Sequence, residues 1–191
     1  MINLFEEAAE LQNMLMAEGM EFFFVGGIAL QIWGQPRLTT DIDLTVFTGL
    51  TNEDERIKWF LSLFKPLIGD QDSMLDFARK RRVLLLKSKS NTEIDVMLGA
   101  LADMSEEFRR ATFQQFTPSL SLKICSADSL IALKTVAGRS QDFADIESVI
   151  IKQKNIDWDY VEAYMQQVME YEDKSANLRQ VLNLKEKFYN K

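Results

Sequence analysis

The sequence predicts an α+β fold, a mixed sheet over about residues 20–125 followed by a helical segment. Two observations carry this. Short apolar or alternating stretches punctuated by turn residues recur up to SLKI (121–124), and from Ser126 onward apolar residues recur only at helical spacing. The chain has 191 residues, enough to bury a sizeable core, with 47% apolar and 27% charged residues, ordinary for a globular protein.

Leu4, Phe5, Ala8, Leu11 and Leu15 predict an amphipathic helix over 3–18, stopped by Gly19. EFFFV (21–25) is a short buried strand; Gly26-Gly27 ends it, and IALQIW begins a second helix. QPRLTT is a loop, because Pro36 opposes helix and the threonines favour extended chain. DIDLTVF (41–47) alternates strictly: Ile42, Leu44 and Val46 share one face, Asp41, Asp43 and Thr45 the other. Asn52–Phe64 is helical on the stripe Ile57, Phe60, Leu61, Phe64. VLLLK (83–87), apolar on both faces and so expected to be central, and TEIDVML (92–98) are strands joined by the turn SKSN; SLKI is a weaker strand. Ser126 caps a helix that Gly138 stops. Three more helices follow over about 141–152, 157–171 and 176–190. The expected organisation is a domain over 1–125, its mixed sheet carrying helices on one side, and a C-terminal helical segment, 126–191, packed on it. Trp158, Tyr160, Tyr164, Met165, Leu178, Val181, Leu182 and Phe188 recur at helical spacing in that segment, as core or as a docking face.

Composition removes several chemistries. With no histidine, His-dependent triads, His general bases and His-ligated zinc are excluded. The single cysteine, Cys125, forms neither an intramolecular disulfide nor a metal cluster, which suits a reducing cytoplasm. Glu6, Glu7 and Glu10 stand where a signal peptide carries positive charge, and no apolar run is long enough for a bilayer, so neither export nor a membrane partner is expected. The net charge of −7 argues against a general nucleic-acid coat protein. It leaves room for a local basic cluster, Arg79-Lys80-Arg81-Arg82 with Lys87 and Lys89, which is either a landing strip for RNA or a solvated helix end and hairpin.

Chemistry concentrates in three places. Gly26-Gly27 at a helix start offers backbone N–H groups to a phosphate. Asp41 and Asp43 project from one strand face about 6.5–7 Å apart. Asp95 alternates with apolar neighbours in the same way, so in adjacent strands all three carboxylates share a face. Their mutual repulsion is relieved by cations, and hard oxygen ligands select Mg²⁺ or Mn²⁺. Two such ions can clamp the attacking and leaving oxygens of a phosphoryl transfer.

The run FFFVGGIALQIWGQPRLTTDIDLTV resembles the signature of the nucleotidyltransferase superfamily with a polymerase-beta-like fold: an apolar strand, a glycine pair, a helix, Asp-x-Asp, then a third aspartate on another strand. The stretch SLIALKTVAGRSQDFADIESV resembles a narrower branch, the abortive-infection nucleotidyltransferase toxins of toxin–antitoxin systems and their small relatives, with Lys134, Arg139, Asp142 and Asp145 at the matching positions. Together the likeness covers about residues 20–150. The second glycine stands where many members have serine, and the chain is shorter than the larger toxins.

The resemblance implies transfer of an NMP from an NTP, ATP among them, to an acceptor hydroxyl with release of pyrophosphate. It places the triphosphate at Gly26 and Gly27 and favours Lys134 reaching inward to it over a snorkelling surface lysine; Arg37, just before the aspartates, Arg139 and Asp142 are further nucleotide-binding candidates. Asp41 and Asp43 would bridge two Mg²⁺ (or Mn²⁺) ions, and Asp95 would bind one of them and help remove the hydroxyl proton. Asp142 and Asp145 either orient Lys134 or begin a helix, where acidic residues suit the dipole. The acceptor stays open between RNA, a protein side chain and a small molecule such as an antibiotic, and the partner between an antitoxin and a second copy. A non-catalytic nucleotide-binding regulatory module is the reading from another class.

Overall fold

A computed structural model describes residues 3–49, 52–99 and 105–189. The chain forms two units, Met1–Ile28 with Leu38–Cys125, and Ala29–Arg37 with Ser126–Lys191.

The first unit is built on one seven-stranded mixed sheet. Its strands are β1 (Phe22–Phe24), β2 (Asp41–Phe47), β3 (Lys65–Pro66), β4 (Val83–Lys87), β5 (Glu93–Gly99), β6 (Thr112–Thr117) and β7 (Leu120–Ile124), in the order β3-β4-β5-β2-β1-β7-β6. The β2–β5 and β1–β7 pairs are parallel and the rest antiparallel. Alternation fixes the faces. Ile42, Leu44 and Val46 stand in register with Ile94, Val96 and Leu98, and Phe22 and Phe24 with Val46 and Leu44, so one face is a continuous apolar layer.

Helix α1 (Leu4–Ala17) starts at a capping box: the Asn3 side chain accepts from the Phe5 N–H, and the Glu6 carboxylate accepts from the Asn3 N–H. Its Ala8, Leu11 and Leu15 are buried. Buried Gln12 accepts from the Lys123 N–H and donates to the Ser121 carbonyl, satisfying β7 backbone. Helix α2 (Gly26–Trp33) begins in this unit. Helices α3 (Glu53–Leu63) and α4 (Gln71–Arg81) bury Ile57, Phe60, Leu61, Met74 and Ala78.

Helix α4 was expected only as the helix end in one reading of residues 79–82, and three elements have no counterpart in the sequence expectations: β3, β6 and α5 (Ser105–Arg110). The last also corrects the one-sided layering. Phe108 on α5 packs edge-on against Phe23 and Phe47, on the sheet face opposite Leu44 and Val46. The expectation that 83–87 is central also needs correction. β4 has β5 along its full length but only the two-residue β3 on its other side, and its apolar residues divide between fully buried Leu84 and Leu86 and half-buried Val83 and Leu85.

The second unit holds the rest of α2, then α6 (Ala127–Ala137), α7 (Ser140–Lys152), α8 (Trp158–Met169) and α9 (Ser175–Phe188). Ser126 caps α6 by accepting from the Ser129 N–H, and Gly138 ends it in the left-handed region. Trp158, Val161, Met165 and Val181 are buried, whereas Tyr160, Tyr164, Leu178, Leu182 and Phe188 are half-buried. Position 190, expected to end the last helix, lies outside the described residues. Among the described residues no helix is long and apolar enough to cross a membrane.

Candidate active site

In the first unit, the end of β1, the turn into α2 and two central strands bring the predicted residues together. The Val25 N–H donates to the Asp43 carbonyl, tying the end of β1 to the middle of β2. The chain then turns through Gly26 at φ +55°, a conformation that L side chains rarely adopt. A Cβ built on Gly26 would stand 1.9 Å from Asp43 Oδ2 and 2.7 Å from its Cγ. The Asp43 carboxylate therefore lies directly against the glycine backbone, in space that exists only because no side chain fills it.

Asp43 and Asp95 are register partners on the parallel strands β2 and β5, and Asp41 is the partner of Glu93. Register partners project from the same face, as do residues i and i+2. Asp41, Asp43, Asp95 and Glu93 thus form a two-by-two array on one face, the first three half-buried and Glu93 exposed. The Asp41 carboxylate is held at Oδ1 by the Thr39 hydroxyl, which donates to it at 3.0 Å.

These residues fit a hard divalent cation in donor chemistry and in sharing one face beside a backbone cradle. Among the described residues, no group of three or more Asp, Glu, His or Cys side chains is placed to hold a metal ion.

The other predicted residues fall in the second unit and form one network. The Lys134 Nζ, almost fully buried, donates to Asp145 Oδ2 at 2.6 Å and to Asp142 Oδ1 at 3.1 Å. Arg37 grips Asp145 with Nε and Nη2, both at 3.1 Å, and Gln141 adds a bond at 2.9 Å. Arg139 binds Asp142 through Nε at 2.8 Å and through its backbone N–H at 3.1 Å. Burial opposes charge on Asp142, but bonds from Arg139 and Lys134 outweigh it and hold the carboxyl below its ordinary range. Asp145 shows the same balance, burial against Arg37, Lys134 and Gln141. Both aspartates lie in the first two turns of α7, and the Asp142 carboxylate also caps that helix.

The basic cluster is divided. Arg79 pairs with Asp54 and Asp76, and Arg82 with Glu53, which commits two of its four arginine and lysine residues at 79–82 to neighbouring acids. Lys87 and Lys89 instead meet Lys65, the register partner of Lys87, around a cavity of about 240 Å³ shared with Leu63, Ser88 and Asn91. Lys65, Glu93 and Thr39 were missed in the sequence. The Glu93-Ile94-Asp95 triplet, which repeats the pattern of Asp41-Ile42-Asp43, was the signal for one of them.

A family model described as the nucleotidyl transferase AbiEii toxin of type IV toxin–antitoxin systems matches residues 11–191. No curated relative matches the sequence. In fold, the chain is similar to an antigenic nucleotidyltransferase-like protein from Paracoccidioides brasiliensis, at 15% identity over 91% of each chain, with a TM-score of 0.52. It is also similar to the lincosamide antibiotic adenylyltransferase LnuA in its lincomycin-bound crystal structure, at 11% identity over 77% of this chain and 97% of that one, with a TM-score of 0.54.

Proposed function

We propose a function from one premise: the chain belongs to the AbiEii nucleotidyltransferase toxin family and is a nucleotidyltransferase. The reaction we propose is attack of an acceptor hydroxyl oxygen on the α-phosphorus of an NTP. A bond forms between that oxygen and phosphorus, the bond from phosphorus to the β-phosphate oxygen breaks, and pyrophosphate leaves.

The observation that carries this reading is the in-register placement of Asp43 and Asp95 beside the Gly26 turn. Asp41, Asp43 and Asp95 would hold Mg²⁺ or Mn²⁺, two ions in the full form of the proposal. A bound cation neutralises triphosphate charge and makes the acceptor hydroxyl more acidic. Asp95 takes the hydroxyl proton, a role that needs no histidine. The N-terminus of α2, opened by Gly26 and Gly27, offers backbone N–H groups to the triphosphate.

For Lys134, Arg37, Arg139 and Asp142 the proposal is narrower. They form a charge-compensated cluster, so phosphate binding by Lys134 requires it to exchange a carboxylate partner for a phosphate oxygen. Arg139, with its side chain 77% exposed, is the cation of that group most open to a phosphate.

The acceptor we favour is RNA, and the role that of a toxin balanced by an antitoxin. The register supports a polyanionic acceptor: Asp41, Glu93, Lys87 and Lys65 form one row across four neighbouring strands, so lysines continue the row that the carboxylates begin. A strand spacing of about 4.8 Å puts Lys87 two strands from Asp41, roughly 10 Å, within reach of phosphates adjoining an acceptor nucleotide.

The test is incubation with each α-labelled NTP, Mg²⁺ and total cellular RNA. Label entering RNA with wild-type protein but not with Asp43→Ala supports the proposal. Label appearing only in protein or in small molecules removes RNA as the acceptor, and no Asp43-dependent label in any fraction removes the reaction.

A further inference from the structure

The geometry points to Thr39 as a positioning residue for Asp41, and to Gly27 as the residue that makes room for it. This rests on the reading that Asp41 holds a divalent cation.

Thr39 lies two residues before β2, in the loop predicted from QPRLTT. Its hydroxyl reaches forward to Asp41 Oδ1 at 3.0 Å, with the Asp41 carbonyl farther off at 3.4 Å. A hydroxyl has one proton, and the carboxylate is the closer and more strongly charged acceptor, so the proton is committed there. Among the described residues Asp41 Oδ2 carries no protein partner, which leaves one oxygen oriented and the other open to a ligand.

The same hydroxyl occupies the space over Gly27. A Cβ built on Gly27 would stand 2.2 Å from Thr39 Oγ1 and 2.6 Å from Thr39 Cβ. Those distances are far inside van der Waals contact, and both atoms sit at the stiff base of a β-branched side chain, so a small rotation does not relieve them. Gly27 has no positive φ, unlike Gly26, so its backbone does not demand glycine. What demands it is Thr39. The two glycines therefore serve different carboxylates: Gly26 admits Asp43 directly, and Gly27 admits the threonine that orients Asp41.

A carboxylate fixed by a hydroxyl loses less freedom on binding a cation than one that must be ordered by it, which is how outer hydrogen bonds raise metal affinity. The glycine turn and the loop before β2 are thereby joined to the same carboxylate pair.

The test uses the whole chain and Mn²⁺ alone, with free Mn²⁺ followed by electron paramagnetic resonance and folding by thermal melts. Thr39→Val keeps the side-chain shape and removes the donor; Mn²⁺ affinity is expected to fall about tenfold. Thr39→Ser keeps the donor and is expected to bind within about twofold of wild type. Gly27→Ala changes neither the threonine nor a carboxylate, yet its Cβ displaces Thr39, so it is expected to lose affinity as Thr39→Val does. Wild-type affinity in Thr39→Val, or in Gly27→Ala should the former not fold, overturns the proposal. Asp43→Ala separates the two levels. If it abolishes Mn²⁺ binding while Thr39→Val binds normally, the cation reading stands and the positioning role falls. If it too binds like wild type, the cation reading falls and takes the positioning role with it.

Discussion

Asp43 and Asp95 are direct register partners on adjacent parallel strands, projecting from one face of the sheet. Strands in a sheet are about 4.8 Å apart, so under the proposed function one divalent cation could meet a carboxylate from each strand.

A first prediction follows from the proposed cation site and compares wild type with Asp43→Asn in thermal melts, starting in chelator. Added Mg²⁺ should raise the wild-type melting temperature and leave the variant unchanged. A wild-type protein whose melting is indifferent to Mg²⁺ would remove the cation from the site.

Gly26→Ala is the second. The substitution forces an L side chain to φ +55° and drives its Cβ to 1.9 Å from Asp43 Oδ2. The left-handed conformation alone costs about 1–2 kcal/mol, and the carboxylate must move as well. The variant should melt lower than wild type and lose Mn²⁺ binding, and the loss of binding should persist at temperatures where it is fully folded. Thermal melts with Mn²⁺ titration of the folded variant check both.

Much of this site was legible because it depends on periodicity. A period of two dictated that Asp41 and Asp43 share a face and that Asp95 points away from the apolar layer on its own strand. What alternation cannot supply is strand order and register, and these align Asp43 with Asp95 and leave β4 beside the two-residue β3. Helix α4 was obscured because only Met74 and Ala78 are buried on it, too sparse a stripe to stand out. Strand β6 exposes most of its residues, including Phe113, and so lacks an apolar run. Thr39 was invisible for another reason: its role is to fill a space beside Gly27, and a steric relation across twelve residues leaves no mark in spacing.

The third prediction concerns the ionic network of the second unit. Lys134 is buried between Asp142 and Asp145, whose carboxyls are both held below their ordinary range. Lys134→Met removes one partner from two buried charges and should cost about 3–5 kcal/mol, measured by urea denaturation at pH 7. The same network sets an acid limit. For a carboxyl with a depressed folded pKa, the stabilisation is fully present above the unfolded value of about 3.9 and is lost as pH falls through the lower folded value. Unfolding free energy should therefore fall steeply below about pH 4, and Asp142→Asn/Asp145→Asn, less stable at pH 7, should show a flatter acid limb. Parallel limbs would mean that other carboxylates govern acid unfolding.

The last prediction separates the two halves of the basic cluster. Arg79 and Arg82 are engaged by Asp54, Asp76 and Glu53, so Arg79→Gln should lower stability slightly and leave RNA affinity nearly unchanged. Lys65 and Lys87 are the reverse case. They are like charges standing directly opposite on antiparallel strands, an arrangement that costs about 0.2–1 kcal/mol in the free protein. Lys65→Gln/Lys87→Gln should therefore be as stable as wild type or slightly more so. Its affinity for single-stranded RNA should fall, and the slope of log affinity against log salt should shrink by about 1.4, the value for two lost phosphate contacts. Filter binding across a salt series measures both quantities. An unchanged slope in the double variant, with a reduced slope in Arg79→Gln, would move the RNA path to α4 and detach it from the row that Asp41 begins.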